Sequence, residues 1–445
     1  MNDSAHGIPD TNMKLDEEGG PHKHPDQVLD QPDYVNKGEW YHIGFHMTAA
    51  VASVPTLGLP YAVALLGWPG GMIALVAGGL VTMFTCILIA GLLEFGGRRH
   101  LRYRNLAQAV IGPRLGWWAV APFQFAVCIG CVIANHVVAG QAMKAVDVAI
   151  RGTTDVTLTE YIIVFGCANL LLSQCPHFHA IRYINAVATV CTISFSIIAV
   201  CMSIYNGTTA DAPRDYTPEG DPVSKMFNAF NGLGIMAFAY GISVLPEIGA
   251  TAKAPAERTL KRGIAMGYVI ILTAYLFVSV TGFWAFGTDV SSIVLGSLQG
   301  PNWVIILAWM FAAVQLFGTT MVYCQPLFES YDCQFGNILA PVWCFRNTMV
   351  RLVCRTLFIV VACFIACLLP FFGDIMGFIG AVGFTPLDFI LPQFLWIAAY
   401  NPKGPKKWFA LIVAFAYTIV GIMAAIGAIR SIINNAVTYH IFANL

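Results

Sequence analysis

Long apolar runs separated by short polar loops recur from about residue 43 to near the end of the chain. Each run is about 20 residues long, the length a helix needs to cross the hydrocarbon core of a bilayer. The pattern predicts eleven spans, at about 43–66, 70–93, 117–146, 160–175, 183–205, 226–247, 264–286, 301–325, 350–370, 375–399 and 408–429. The fold class is therefore an all-α polytopic membrane protein. Residues 1–38 differ: they are polar and acidic, carry Gly and Pro, and have almost no aromatics. That composition reads as a disordered tail. Residues 39–445 read as one transmembrane domain without a soluble insert. The first span begins too late, and lacks the basic n-region, for a cleavable signal peptide.

The apolar pattern is broken in two places. In span one, Ser53-Val54-Pro55-Thr56-Leu57-Gly58-Leu59-Pro60 puts two prolines and a glycine where a helix should be continuous. Proline removes a backbone donor and clashes with the preceding turn. In lipid such backbone survives only where it is buried or lines a cavity. In span six, Phe238-Ala239-Tyr240-Gly241-Ile242-Ser243 interrupts a second run, with Pro246 and Glu247 following. Span six comes five spans after span one. An odd repeat length makes the second unit enter from the opposite face, so the two breaks predict an inverted 5+5 repeat with a substrate site between its halves. Repeat one covers about 43–205, repeat two about 226–399, and the span at about 408–429 is extra.

Composition agrees with the pattern: 57% of the 445 residues are hydrophobic and 11% charged, against about 25% charged in soluble domains. Lys plus Arg and Asp plus Glu number 24 each, so no basic balance points to nucleic acid. Orientation follows from the basic residues of short loops. Arg98 to Arg114, Lys253 to Arg262 and Lys403 to Lys407 fall on one side, which places the N-terminus in the cytoplasm and the C-terminus outside. The sequon Asn206-Gly207-Thr208 falls on the opposite side and marks Asn206 as a glycan acceptor. Most of the 13 cysteines lie inside apolar spans and read as small buried hydrophobes.

Several stretches resemble the amino acid/auxin permease family of plants. They are Gly38-Glu39-Trp40-Tyr41-His42-Ile43-Gly44-Phe45-His46, Leu57 to Ala62, Leu66-Gly67-Trp68, and Gly97 to Arg104. Leu172 to His179, Leu245-Pro246-Glu247-Ile248-Gly249-Ala250-Thr251, Leu369 to Asp374 and Phe384 to Pro392 place the chain near the γ-aminobutyrate (GABA) transporter branch, with proline transporters close by. The resemblance implies a LeuT-like fold and proton-coupled symport of a small amino acid across the plasma membrane, with an endomembrane or the tonoplast as the open alternative. It implies alternating access, with spans one, two, six and seven rocking against the rest. It implies no cofactor beyond the coupling ion, with sodium as an alternative to protons. Gly249 and the Asn135-His136 pair depart from the branch pattern, and the second departure bears on which substrate is carried. A broad neutral amino acid carrier, an auxin carrier and a non-transporting amino acid sensor stay open as alternatives.

An amino acid zwitterion needs donors for its carboxylate and acceptors for its ammonium. The amides of Val54 to Gly58, beside the positive end of the following half-helix, suit the first. The carbonyls of Phe238 to Gly241 suit the second. Tyr240 reads as a pocket wall or hydroxyl, or as packing. Ser53, Thr56 and Ser243 read as substrate contacts or as groups that reclose broken backbone bonds. Asn135 and His136 read as a second polar group for a long substrate, or as a helix-packing pair. For proton coupling, Asp388 is the deepest carboxylate, Glu247 stands beside the second break, and Glu94 ends span two next to the arginine-rich loop. Gln315, Thr319 and Thr320 of span eight share one face and form a candidate cation site, or polar packing. His42 and His46 lack the third ligand that a zinc site takes. No nucleophile with a base, metal set or nucleotide loop points to an enzyme.

Overall fold

The computed structural model describes residues 38–97, 99–100, 102–174, 179–209, 214–243, 245–250, 252–253, 255–337 and 344–438. Almost all of the expected tail thus lies outside the described residues. Beyond one isolated bridge between Gly38 and Ala252, they contain no strand. Helix α1 (Trp40–Val51) is followed by a tight 3-10 turn over Val54–Gly58 and then by α2 (Leu59–Leu92). Helix α2 turns sharply at Gly67, whose φ of 71° is open to glycine at little cost, with Pro69 just beyond. The short α3 (Tyr103–Ile111) leads to α4 (Pro113–Arg151), which starts on a proline after Gly112 at φ 94°. Helix α5 (Leu158–Ser173) opens with a capping box, in which Thr157 and Glu160 satisfy each other's backbone donors.

Helix α6 (His179–Thr209) precedes the two halves of a broken helix, α7 (Pro222–Ala239) and α8 (Leu245–Ala250). Helix α9 (Ala256–Phe286) and α10 (Asn302–Phe335) follow. A π-helical stretch, Arg351–Arg355, joins α11 (Phe345–Val350) to α12 (Thr356–Leu368). A longer one, Gly380–Ile390, joins α13 (Phe372–Ile379) to α14 (Leu391–Tyr400) and contains Pro386. The last helix is α15 (Pro405–Thr438).

Among the described residues, eight helices are long and apolar enough to cross a membrane. Three of the eleven expected spans fall outside that count, each for a physical reason. The first runs into the second across the Gly67 bend, as Val54–Leu92. The fourth, α5, has only 16 residues. The sixth is divided between α7 and α8.

Helix α15 shows how the pattern sorts its faces. Ile412, Phe415, Ile419, Ile422, Ile426, Ile429 and Ile433 recur every three or four residues, and all are exposed. Ala410, Ala414, Ala424 and Ala428, between them, are buried. In water such a stripe would be a docking or aggregation surface; against lipid tails it costs nothing. The buried side of α15 packs on α7, α13 and the Gly380–Ile390 stretch. Helix α1 packs on α9, α2 on α9 and α7, and α4 on α10.

Between apolar helices in lipid there is no hydrophobic drive to associate, so small residues that let backbones approach carry the packing. Helix α7 and α13 cross on glycines. A Cβ at Gly234 would strike the carbonyl of Gly377, and one at Gly380 the carbonyl of Gly234. A Cβ at Gly427 of α15 would lie 2.7 Å from the Phe227 carbonyl and the Asn231 amide nitrogen of α7. Backbone cannot yield as a side chain can. Gly234→Val is therefore expected to lower stability by about 1–3 kcal/mol or more through overpacking. The thermal midpoint of the purified protein measures it, and an unchanged midpoint would refute the glycine crossing.

Candidate functional site

Both predicted breaks are present, and their ends meet on one side chain. Helix α1 stops at Val51; Ala52 (φ −78°, ψ 49°) and Ser53 (φ −91°, ψ −154°) leave helical geometry before Val54–Gly58 winds as 3-10. Helix α7 stops at Ala239, and its chain becomes helical again at Leu245. Each stop frees carbonyls that lipid cannot satisfy. The hydroxyl of Tyr275, fully buried on α9, lies 2.9 Å from the Val51 carbonyl and 2.6 Å from the Ala239 carbonyl. One hydroxyl proton is thus within reach of both broken ends. On the other side of the second break, Asp388 Oδ2 accepts from the Ile242 amide at 2.8 Å. Asp388 is 1% exposed and belongs to the π-helical stretch of the tenth span.

A small cavity of about 10 Å³ lies between the breaks. Six of the expected residues line it: Ser53, Val54, Pro55, Asn135, Phe238 and Thr319. A water needs about 10–15 Å³, so this conformation holds at most one there. The lining carries no charged side chain. Cys131, Tyr323 and Phe372 complete it and were missed in the sequence. Cys131 stands four residues before Asn135, and Tyr323 four after Thr319, so helical spacing from the chosen residues would have found both.

The other expected residues are placed as follows. Thr56, Leu57 and Gly58 are buried behind the first break, with Gly58 against Met376. Tyr240 turns away from the cavity: its hydroxyl donates to the Leu75 carbonyl at 2.6 Å and its ring rests on Gly78. Of the readings open to it, the geometry is that of packing. Gly241 lies against the Phe384 ring, where a Cβ has no room, and Ser243 is buried nearby. The Asn135-His136 pair is split. Asn135 reaches the cavity and donates to Thr320 Oγ1 at 3.2 Å. His136 points to the fourth span, donating from Nδ1 to the Val132 carbonyl at 2.7 Å with its ring edge-on to Phe165. Gln315 and Thr319 bond each other, at 2.5 Å from Nε2 to Oγ1. Of this trio, only Thr319 lines the cavity.

Glu94 pairs with Arg99 at 2.8 Å, away from the cavity. Glu247 lies in α8, but its side chain is outside the described residues. Asn206 is 8% exposed, and its carboxamide exchanges hydrogen bonds with the backbone of Gln299, accepting from its amide at 3.0 Å. In this conformation the acceptor nitrogen of the sequon is thus engaged by protein. His42 and His46 are exposed, and no group of three His, Cys, Asp or Glu among the described residues could hold a metal ion.

Ion pairs close the end of the bundle that carries the arginine-rich loop. Lys253 pairs with Glu39 at 2.9 Å, which holds its ammonium above the usual lysine range, and its amide donates to the Gly38 carbonyl at 2.8 Å. Arg99 donates to the Ala252 carbonyl. Arg102–Glu329 (3.0 Å) and Arg355–Asp332 (2.9 Å) tie the neighbouring helices. Glu329 and Asp332 were not singled out in the sequence.

Removing the hydroxyl in Tyr275→Phe leaves two buried carbonyls without that donor. The expected cost is about 1–3 kcal/mol, read as a lower thermal midpoint together with reduced uptake per molecule at the surface. Equal midpoints would dismiss the clamp. The split of the span-three pair gives a second test. Asn135→Ala is expected to raise the substrate KM, while His136→Gln leaves it within about twofold. The reverse order would put the wrong residue in the cavity.

Comparisons with known proteins identify the family. A family model described as transmembrane amino acid transporter protein matches residues 36–434. "GABA transporter 1" of Arabidopsis thaliana is 37% identical over 424 residues, covering 92% of this chain and 94% of the relative. "Lysine histidine transporter-like 6" of the same plant is 33% identical over 426 residues, covering 92% and 94%. "Lysine histidine transporter-like 1" is 30% identical over 415 residues, covering 91% and 90%. The chain belongs to the amino acid/auxin permease family, a family of membrane carriers of amino acids rather than enzymes.

Proposed function

We propose that this protein is a proton-coupled symporter of a small neutral amino acid, GABA or a proline-like molecule, in the plasma membrane. In this reading it has eleven spans in a LeuT-like inverted repeat plus one, with the N-terminus cytoplasmic and the C-terminus outside. The observation that carries the coupling is the hydrogen bond from the Ile242 amide to Asp388. A buried ionisable group is costly and functional by default, and this one grips the open backbone of a broken helix.

A hydrogen bond to a charged acceptor contributes about 1.5–3 kcal/mol, against about 0.5–1.5 for a neutral one. Protonating Asp388 therefore weakens its hold on the break by about 1–2 kcal/mol, roughly a five- to thirtyfold shift between two conformations. The change has a route to the basic end of the bundle. Tyr103, buried on α3, donates at 2.8 Å to the carbonyl of Leu387, the residue before Asp388. Arg102, next to Tyr103, makes the pair with Glu329. Proton loading thus loosens the second break and the inner closure together.

The neutral lining of the central cavity favours a substrate of zero net charge. A net cation buried there would lack a counter-charge, and an unpaired buried charge is expensive. This argues for GABA or proline over a lysine-like substrate, although relatives of both names match the chain. Sodium coupling is the weaker reading, because Thr320 and Thr319 already engage Asn135 and Gln315.

The test is substrate-evoked current in voltage-clamped oocytes with GABA, proline, lysine and auxin at pH 5.5 and 7.5. Inward current with GABA or proline, larger at pH 5.5 and independent of sodium, is expected. Asp388→Asn is expected to retain exchange of labelled substrate and to lose pH dependence and net accumulation. A variant with wild-type pH dependence would remove Asp388 from the coupling. Silence for every substrate, with the protein at the surface, would favour an amino acid sensor.

A further inference from the structure

A second cavity near the broken helices is larger than the central one. It lies beyond the first break, between the second half of span one, α7 and the last turns of α15, and holds about 200 Å³ against about 10 Å³ at the centre. Tyr61 and Leu65 give it an apolar side, and Ser224, Asn228, Arg430 and Asn434 a polar one. Three further wall residues, Asn231, Ser431 and Asn435, all donate to the buried carboxylate of Asp374, at 3.1, 2.7 and 2.5 Å.

Two features make this a built site. Among the described residues Arg430 makes no ion pair; its guanidinium lies over the Phe227 ring, 4.2 Å from the centroid. Stacking occupies the face of the guanidinium and leaves its edge, with its forked N–H groups, to grip a carboxylate. The Asp374 carboxylate stands behind the cavity wall, fixed by Asn231 of α7 and by Ser431 and Asn435 of α15. Residues 430 and 431 are neighbours and project about 100° apart around α15. One helix therefore presents a cation on one bearing and the partner of a buried anion on the next. The cavity thus has a cation in its wall and an anion just behind it, the two charges that a zwitterion needs to meet.

We infer that this cavity is a second amino acid site, which takes the substrate's carboxylate on Arg430 and its ammonium toward Asp374 before passing it inward. The inference rests on the proposed transport of a zwitterion. The position suits a waiting site. Tyr61 is three residues past the 3-10 turn of the first break, and Asn231 is eight before the end of α7 at Ala239. Both helices that border the cavity run directly to the central breaks. The eleventh span, which the inverted repeat does not need, supplies Arg430, Ser431, Asn434 and Asn435 of its wall.

The test uses the full chain at the surface of oocytes. Asn434 is exposed and lines the cavity, so Asn434→Cys is labelled with a membrane-impermeant thiosulfonate, with the parent chain as blank. Saturating GABA or proline is expected to slow labelling about threefold or more, and adding Arg430→Gln to abolish that protection. In otherwise unaltered chains, Arg430→Gln is expected to raise the uptake KM roughly tenfold with little change in maximal rate, and Arg430→Lys by less. Labelling that no amino acid slows overturns the second site, whether or not the protein transports. Protection in a protein that takes up nothing upholds the site and overturns symport. A KM unchanged in Arg430→Gln, with protection intact, removes Arg430 from it.

Discussion

A backbone group left without a partner in lipid costs several kcal/mol, and this constraint shapes the centre of the molecule. The first and sixth spans both break, and each break opens carbonyls and amides inside the bilayer. Side chains from other spans satisfy them. Tyr275 reaches the last carbonyls of both α1 and α7, and Asp388 holds the Ile242 amide. Tyr103 takes the Leu387 carbonyl in the π-helical stretch beside Asp388. The breaks are therefore stable only as part of the assembled bundle. Because their partners stand on separate helices, movement of one helix against another changes the bonding at the breaks.

The partners can come so close because glycines let the backbones touch. Helix α7 crosses α13 at Gly234 and Gly377 and meets α15 at Gly427. This brings the tenth span against the sixth and gives its two carboxylates contrasting surroundings. Asp374, near its start, is wrapped by three side-chain donors from α7 and α15. Asp388, fourteen residues on, bonds the backbone of a break. Donors fixed on packed helices hold the first carboxylate in place. The second accepts from a backbone amide in the gap between two helices.

The two cavities differ in the same spirit. The central one is small and lined by uncharged side chains. The one beyond the first break is larger and carries a guanidinium. Ion pairs close the opposite, basic end. The central volume of about 10 Å³ is about that of one water, so an amino acid could bind there only if the helices moved apart.

The sequence by itself determined the succession of apolar helices and the two breaks. Apolar length and the chemistry of proline and glycine are local, and local features survive any packing. It also marked most of the central lining, because residues beside a break on one helix share its neighbourhood wherever the helix goes. It could not separate Asn135 from His136, which project about 100° apart on a helix covered on both sides. Nor could it turn Tyr240 toward Leu75 or bring Asp388 to Ile242, since those partners are 165 and 146 residues apart. The larger cavity was equally hidden, because its walls come from three helices distant along the chain. Which side of a buried helix faces the cavity, and which distant group completes a broken backbone, depends on how all the spans cross. Only the tertiary structure decided that.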